Sequence, residues 1–269
     1  MVEPKYPGAV ERYINIGECY DKEALWPLKE AIMDCMAGYK GCYQRAYRCL
    51  GAAAEIVEDQ RAALLTDALS QKLAKRARGI LSREIPRQKP GAPGQVKQRF
   101  LGAITHRGEL CLYDTALAQC DRAYVDSCGL AHELLLHLLA GAIDNGYDTT
   151  ACPDPMAPDR LAHLLIPQLG LAFLTASPTL PFPGKSYRRI RLDTAADGEL
   201  LRRSRPRLRF ARKVSAALTD EAVDSLAQAK AMHDDLEAIY NPHVDFGLVE
   251  KMAQDIWQEI QSFRENPYH

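Results

Sequence analysis

The chain has 269 residues, 34 Lys+Arg against 35 Asp+Glu for a formal net charge of -1, and 47% hydrophobic residues. That is enough apolar material for one large domain or two small ones, and it excludes wholesale disorder. The balanced charge gives no global pull toward nucleic acid or an anionic membrane, residues 1–7 hold no signal-peptide core, and no apolar run reaches the roughly 18 residues of a membrane span, so a cytoplasmic protein without a membrane partner is predicted.

Residues 22–80 show helical periodicity, with Leu25, Leu28, Ile32, Cys35, Tyr39, Cys42 and Ala46 on one face, and Pro27 fits only in the first turn. Cys35, Cys42 and Cys49 recur every seven residues. On a helix neighbouring sulfurs would stand about 10 Å apart, too far to share one zinc at a Zn–S distance of about 2.3 Å. They read as a seam of small apolar side chains, and with no export signal all eight cysteines read as reduced thiols. The stretch 82–98, with Pro86, Pro90, Gly91, Pro93 and Gly94, has the composition of a linker. Beyond it, 100–105 and 109–113 read as strands around a turn at 106–108. A strand at 123–126 leads into a helix at 130–145 closed by Gly146. Further strands are predicted at 147–151, 163–166, 169–175 and 188–192, then helices at 198–240 and 244–263 separated by Asn241 and Pro242. This alternation predicts an α/β fold, with a parallel sheet covered on both faces and a long helical appendage.

The chain also matches itself at an offset of 176 residues, which carries Tyr6-Pro7-Gly8 onto Phe182-Pro183-Gly184. The same shift carries Arg12 onto Arg188, Glu23 onto Glu199, and Ala46, Leu50, Ala53 and Asp59 onto Ala222, Leu226, Ala229 and Asp235. Two blocks at one constant offset argue for duplication. The predicted units are 1–95, the mostly helical back part of a first repeat plus linker, and 96–269, a complete second repeat ending in the hairpin 198–263.

Two motifs fail on physical grounds. Gly184-Lys185-Ser186 ends like a phosphate-binding loop, but Thr179 stands where the first glycine should be, and a strand rather than a helix follows. His132 and His137 bracket a glutamate like a zinc motif but are five apart, about 140° around a helix, and so diverge. No residue set reads as a metal site. The turn between 126 and 131 is a better place, because a loop leaving a strand for a helix exposes backbone N–H groups and the positive dipole end.

Several segments together resemble a bacterial family of duplicated P-loop ATPase-like proteins: residues 2–11, Arg45-Ala46-Tyr47-Arg48, Gly102-Ala103-Ile104-Thr105, Cys152-Pro153, Leu164-Leu165-Ile166-Pro167, and 229–235. The resemblance covers nearly the whole chain and implies two P-loop NTPase-like units, each ending in a long helical hairpin. It implies that this chain starts just after the first unit's core strands, without that unit's P-loop. It alone brings in ATP and magnesium as cofactors. The second unit's loop would fall on Asp126, Ser127, Cys128, Gly129, Leu130, Ala131, His132 and Glu133. There Asp126 replaces the opening glycine and Ala131 a later one, His132 replaces the phosphate-binding lysine, and Glu133 replaces the magnesium-binding hydroxyl residue. Two carboxylates beside a triphosphate repel it by about 1 kcal/mol each in water and severalfold more in a partly buried site. Phosphoryl transfer rests almost wholly on such electrostatics. The strand 169–175 also runs into Thr175-Ala176-Ser177 without a carboxylate to support magnesium.

The expected function is therefore a degenerate P-loop NTPase-like protein without hydrolysis, structural or regulatory, with weak nucleotide or anion binding at Ser127–Glu133. One alternative is an active ATPase or nucleotide kinase completed by a partner chain. Another is a nucleic-acid or protein-binding module using arginines between 185 and 213, with Arg188, Arg202 and Arg203 as anion-binding candidates, and a second basic cluster at Lys72, Lys75, Arg76, Arg78, Arg83 and Arg87. These clusters lack interleaved aromatics, so a solvated helical face is favoured over a nucleic-acid surface. A homo-oligomer or a partner chain completing the first unit is the expected assembly.

Overall fold

A computed structural model describes Tyr6 and residues 11–88, 92–126, 130–177 and 179–265, the side chain of Glu265 excepted. In chain order the elements are α1 (Lys22–Leu25), α2 (Lys29–Leu64), α3 (Asp67–Glu84), β1 (Val96–Gln98), β2 (Gly102–Thr105), β3 (Gly108–Cys111), α4 (Tyr113–Leu117), β4 (Arg122–Asp126), α5 (Ala131–Asp144), β5 (Thr149–Asp154), β6 (Ala157–Ile166), β7 (Leu171–Thr175), β8 (Arg188–Arg189), α6 (Gly198–Tyr240) and α7 (Phe246–Glu265). The fold is α/β, as the alternating pattern predicts. The contacts divide the chain into two units, Met1–Cys42 with Gln228–His269, and Tyr43–Ala227.

Helix boundaries follow from local chemistry. Pro27 sits in a 3-10 turn, Trp26–Leu28, ahead of α2, where its missing N–H costs nothing. The backbone of Thr66 turns extended and its hydroxyl accepts the Leu69 N–H at 3.2 Å, which ends one helix and caps the next. A 3-10 turn, Asn241–His243, separates α6 from α7, and Asp245 then accepts the Leu248 N–H at 2.9 Å. Gly146 closes α5 at φ 89°, a left-handed conformation that a side chain would strain.

Within the Tyr43–Ala227 unit, six strands form one sheet in the order β1-β5-β6-β7-β4-β8. The expected all-parallel sheet is corrected here: β5 pairs antiparallel with β6, and β6 antiparallel with β7, while β1·β5, β4·β7 and β4·β8 are parallel. Connection length is the reason. Only residues 155–156 link β5 to β6 and only 167–170 link β6 to β7, whereas a parallel crossover needs about a dozen residues. The strand predicted at 109–113 ends at Cys111, because Tyr113 begins α4 and donates its hydroxyl to Thr175 O at 2.8 Å. β1 was not expected, and β8 is two residues long rather than five.

The sheet has an apolar layer on each face. On one, α3 and α5 bring Leu69, Leu73, Ala77, Leu134 and Leu138 onto Tyr124, Leu164, Ile166 and Phe173. Each buried Leu there stabilises the fold by about 1.5–3 kcal/mol. On the other, Leu101, Tyr113 and Ala116 cover Val125, Cys152, Leu165 and Leu174. The linker-like stretch is tied to α5: Gln88 N–H donates to Asn145 O at 3.1 Å, Gly94 N–H to Ile143 O at 3.0 Å, and the Asn145 amide to Ile85 O at 2.7 Å. A Cβ on Gly94 would stand 1.9 Å from Tyr147 O, so only glycine fits this approach.

In the other unit, Cys19 and Ile32 are buried, Cys35 donates to Met232 O at 2.9 Å, and Tyr20 bridges to Val244. The seven described cysteines are free thiols. Among the described residues no helix is long and apolar enough to cross a membrane.

Candidate functional site

The candidate loop leaves the carboxyl end of β4. Parallel neighbours hold that strand on both sides, with Asp126 in register with Thr175 of β7 and Val125 with Arg189 of β8. Of the predicted loop, Ser127, Cys128 and Gly129 lie outside the described residues. The rest is drawn inward: Leu130 and Ala131 are buried in the first apolar layer, Asp126 is 3% exposed, and His132 and Glu133 are half-buried in the first turn of α5. The cavity lined by Tyr124, Asp126, Ala131, Phe173, Thr175 and Ile190 encloses about 10 Å³, room for about one water molecule.

His132, which stands where the family has its lysine, is engaged by the sheet. Its Nδ1 accepts the Leu161 N–H at 2.9 Å, which ties the ring to β6. Burial first, then the Arg160 guanidinium, holds its pKa below the usual histidine value. A ring that accepts at Nδ1 and resists protonation is a neutral imidazole. His137 is exposed farther along α5, so the two histidines do not converge, as their spacing predicts. At the end of β7, the Thr175 hydroxyl donates to Ala162 O at 2.7 Å, and the Ser177 hydroxyl pairs with Thr179 at 2.9 Å.

A second constellation, unmarked by any motif, sits under the same end of β7. His163 is buried, its Nδ1 accepts the Thr175 N–H at 3.1 Å, and its Nε2 lies 3.7 Å from Cys111 Sγ. The Tyr113 ring meets the imidazole edge-on at 6.1 Å. This is the geometry of a Cys–His pair with the wrong tautomer for catalysis. Nδ1 is taken as an acceptor, so Nε2 carries the proton and has no lone pair to receive one from the thiol. Burial pushes His163 down to about 4 and Cys111 up to about 11, keeping both neutral. Cys111 comes from β3 of the separate two-stranded sheet and His163 from β6, 52 residues away, so no short-range spacing announces the pair.

The three anion-binding candidates do not share a site. Arg203 is committed to Glu199, Arg202 is exposed on α6, and Arg188 lies on β8 with its guanidinium 5.5 Å from the Tyr187 ring centre. Gly184-Lys185-Ser186 precedes a strand, as read from sequence. In the other unit, His233, Asp234 and Glu237 gather on an exposed face of α6, but Lys230 already pairs with Asp234, and His233 Nδ1 lies 3.2 Å from Glu237.

In comparisons with known proteins, no family model, no curated protein and no solved structure matches the chain.

Proposed function

We propose that this chain is a degenerate P-loop NTPase-like protein that binds no magnesium–nucleotide complex, turns over no nucleotide, and serves a structural or regulatory role. The observation that carries the reading is the β4–loop–α5 unit. A strand flanked by two parallel strands opens at its carboxyl end onto the start of a 14-residue helix, the setting in which open α/β sheets hold phosphate. The side chains placed there are a buried Asp126, a neutral His132 bonded to β6, and Glu133. None supplies the ammonium or the hydroxyl that phosphate and magnesium need.

The duplication belongs to the same reading. At the offset of 176 residues, the 3-10 turn Ile16–Cys19 corresponds to Asp193–Ala195, and the last residue of α2, Leu64, to the last of α6, Tyr240. In both copies a short break and a second helix follow.

Titration calorimetry with ATP and GTP, with and without magnesium, and a phosphate-release assay test the proposal. The expected outcome is no gain in affinity on adding magnesium and no hydrolysis above a blank. Turnover that disappears in a Gly129→Ala variant overturns it.

A further inference from the structure

Two basic stretches, 72–87 and 185–213, meet in the Tyr43–Ala227 unit. α3 buries Leu69, Leu73, Ala77 and Ile80. That leaves Lys72, Arg76 and Arg83 along one flank of the helix, within about 40° of one another over about 16 Å. The flank is anchored to the segment after β8: Lys72 Nζ donates to Ala195 O at 3.1 Å and Arg76 to Arg191 O at 2.8 Å.

At the end of α3 the Glu84 carboxylate receives Arg122 at 3.2 Å, and a second nitrogen of Arg122 donates to Leu169 O at 2.7 Å. The Arg122 guanidinium lies 5.7 Å from the Tyr187 ring centre, on the ring that Arg188 also approaches. Tyr187 is 45% exposed and meets Tyr124 beneath it at 5.5 Å. The expectation that these clusters lack an aromatic is thus revised: an outward-facing phenol sits where they join. The nearby acids are mostly committed. Glu84 is taken by Arg122 and Glu199 by Arg203, while Asp197 accepts the Glu199 and Leu200 N–H groups beside Lys72; Asp193 is exposed.

We propose that Arg76, Arg83, Arg122, Tyr187 and Arg188 form a surface for single-stranded nucleic acid, with one base on the Tyr187 ring and the backbone following the flank of α3. The cations supply phosphate neutralisation and the ring supplies sequence-tolerant stacking. A duplex keeps its bases stacked on one another and an acidic peptide has no base to stack, so neither uses Tyr187. Arg188 is exposed on a two-residue edge strand and can swing from the ring to a phosphate. The proposal does not rest on the reading of the β4–α5 loop, and mononucleotide titration reports on that loop separately.

Fluorescence anisotropy of the intact chain with a labelled mixed-sequence oligonucleotide of about 12 nucleotides, as RNA, as DNA and as duplex, tests it. The expected result is low-micromolar binding of a single strand at about 50 mM salt, with log affinity falling against log salt at a slope of about -2 for the three cations not paired with an acid. Binding of RNA, of DNA or of both supports the surface and identifies the sugar it takes. Tyr187→Ala weakens binding about tenfold with the salt slope unchanged, and Tyr187→Phe restores it. Arg83→Glu combined with Arg188→Glu abolishes binding, and Arg107→Glu, on the 106–107 turn, leaves it intact. Circular dichroism confirms that each variant is folded. No shift at low salt, duplex bound as tightly as single strand, or folded Tyr187→Ala binding like the parent overturns the proposal.

Discussion

The two ends of β4 carry opposite chemistry. At its carboxyl end, where parallel α/β sheets usually present their ligands, stand the buried Asp126 and, across the loop, Glu133 and a neutral His132. At its amino end Arg122 joins Arg188 around the half-exposed Tyr187, beside the basic flank of α3. Architecture alone points an anion to one end, and charge points it to the other. Coulomb energies of about 1 kcal/mol per close pair in water, and more when partly buried, favour the charged end over the topological one.

The strongest way to break this contrast is to remove the support beneath both ends. Phe173 stacks on Tyr124 at 5.0 Å and is 1% exposed, so Phe173→Ala is expected to cost about 3–5 kcal/mol, read as a shifted urea midpoint. Acid tests the carboxyl end. The folded His163 pKa, near 4, lies below its unfolded value of about 6.5, so its contribution is full above about pH 6.5 and is lost as pH falls toward 4. The loss reaches about 3 kcal/mol, and unfolding curves across that window should flatten in a His163→Gln variant. The amino end responds to Arg122→Met, which strands the mostly buried Glu84 and should cost about 2 kcal/mol; adding Glu84→Gln should recover much of it in thermal melts. The smallest expected effect sharpens the view of His132: His132→Ala leaves the Leu161 N–H without its acceptor and costs about 1 kcal/mol. His132→Lys should bring no magnesium-dependent nucleotide binding in calorimetry while Asp126 and Glu133 remain.

Much of the frame was legible in the residues. The period of Leu25, Leu28, Ile32 and Cys35 marks the long helical stretch, and Asn241-Pro242 marks the break before α7, because helical spacing and proline act locally. The antiparallel β6–β7 pair was within reach, since only two residues separate the predicted strands 163–166 and 169–175, but the β5–β6 pair was not, because β6 begins at Ala157, well before the predicted 163. Of the loop residues, Asp126 and Glu133 could be named from their charge. The tie between His132 and Leu161 could not, because it depends on how β6 packs over α5. The meeting of Arg76 with residue 191 and of Arg122 with Tyr187 spans dozens of residues and exists only once the sheet order is known.

The tethering of residues 85–88 and 94–95 to the end of α5 and the turn after it has a consequence for exchange with heavy water. A segment with a linker's composition would trade its amide protons within seconds. Here the Gln88 and Gly94 amides are engaged with Asn145 and Ile143 carbonyls. They should retain their protons about as long as the last turn of that helix does, and deuterium uptake will mark this strip as part of the α/β framework.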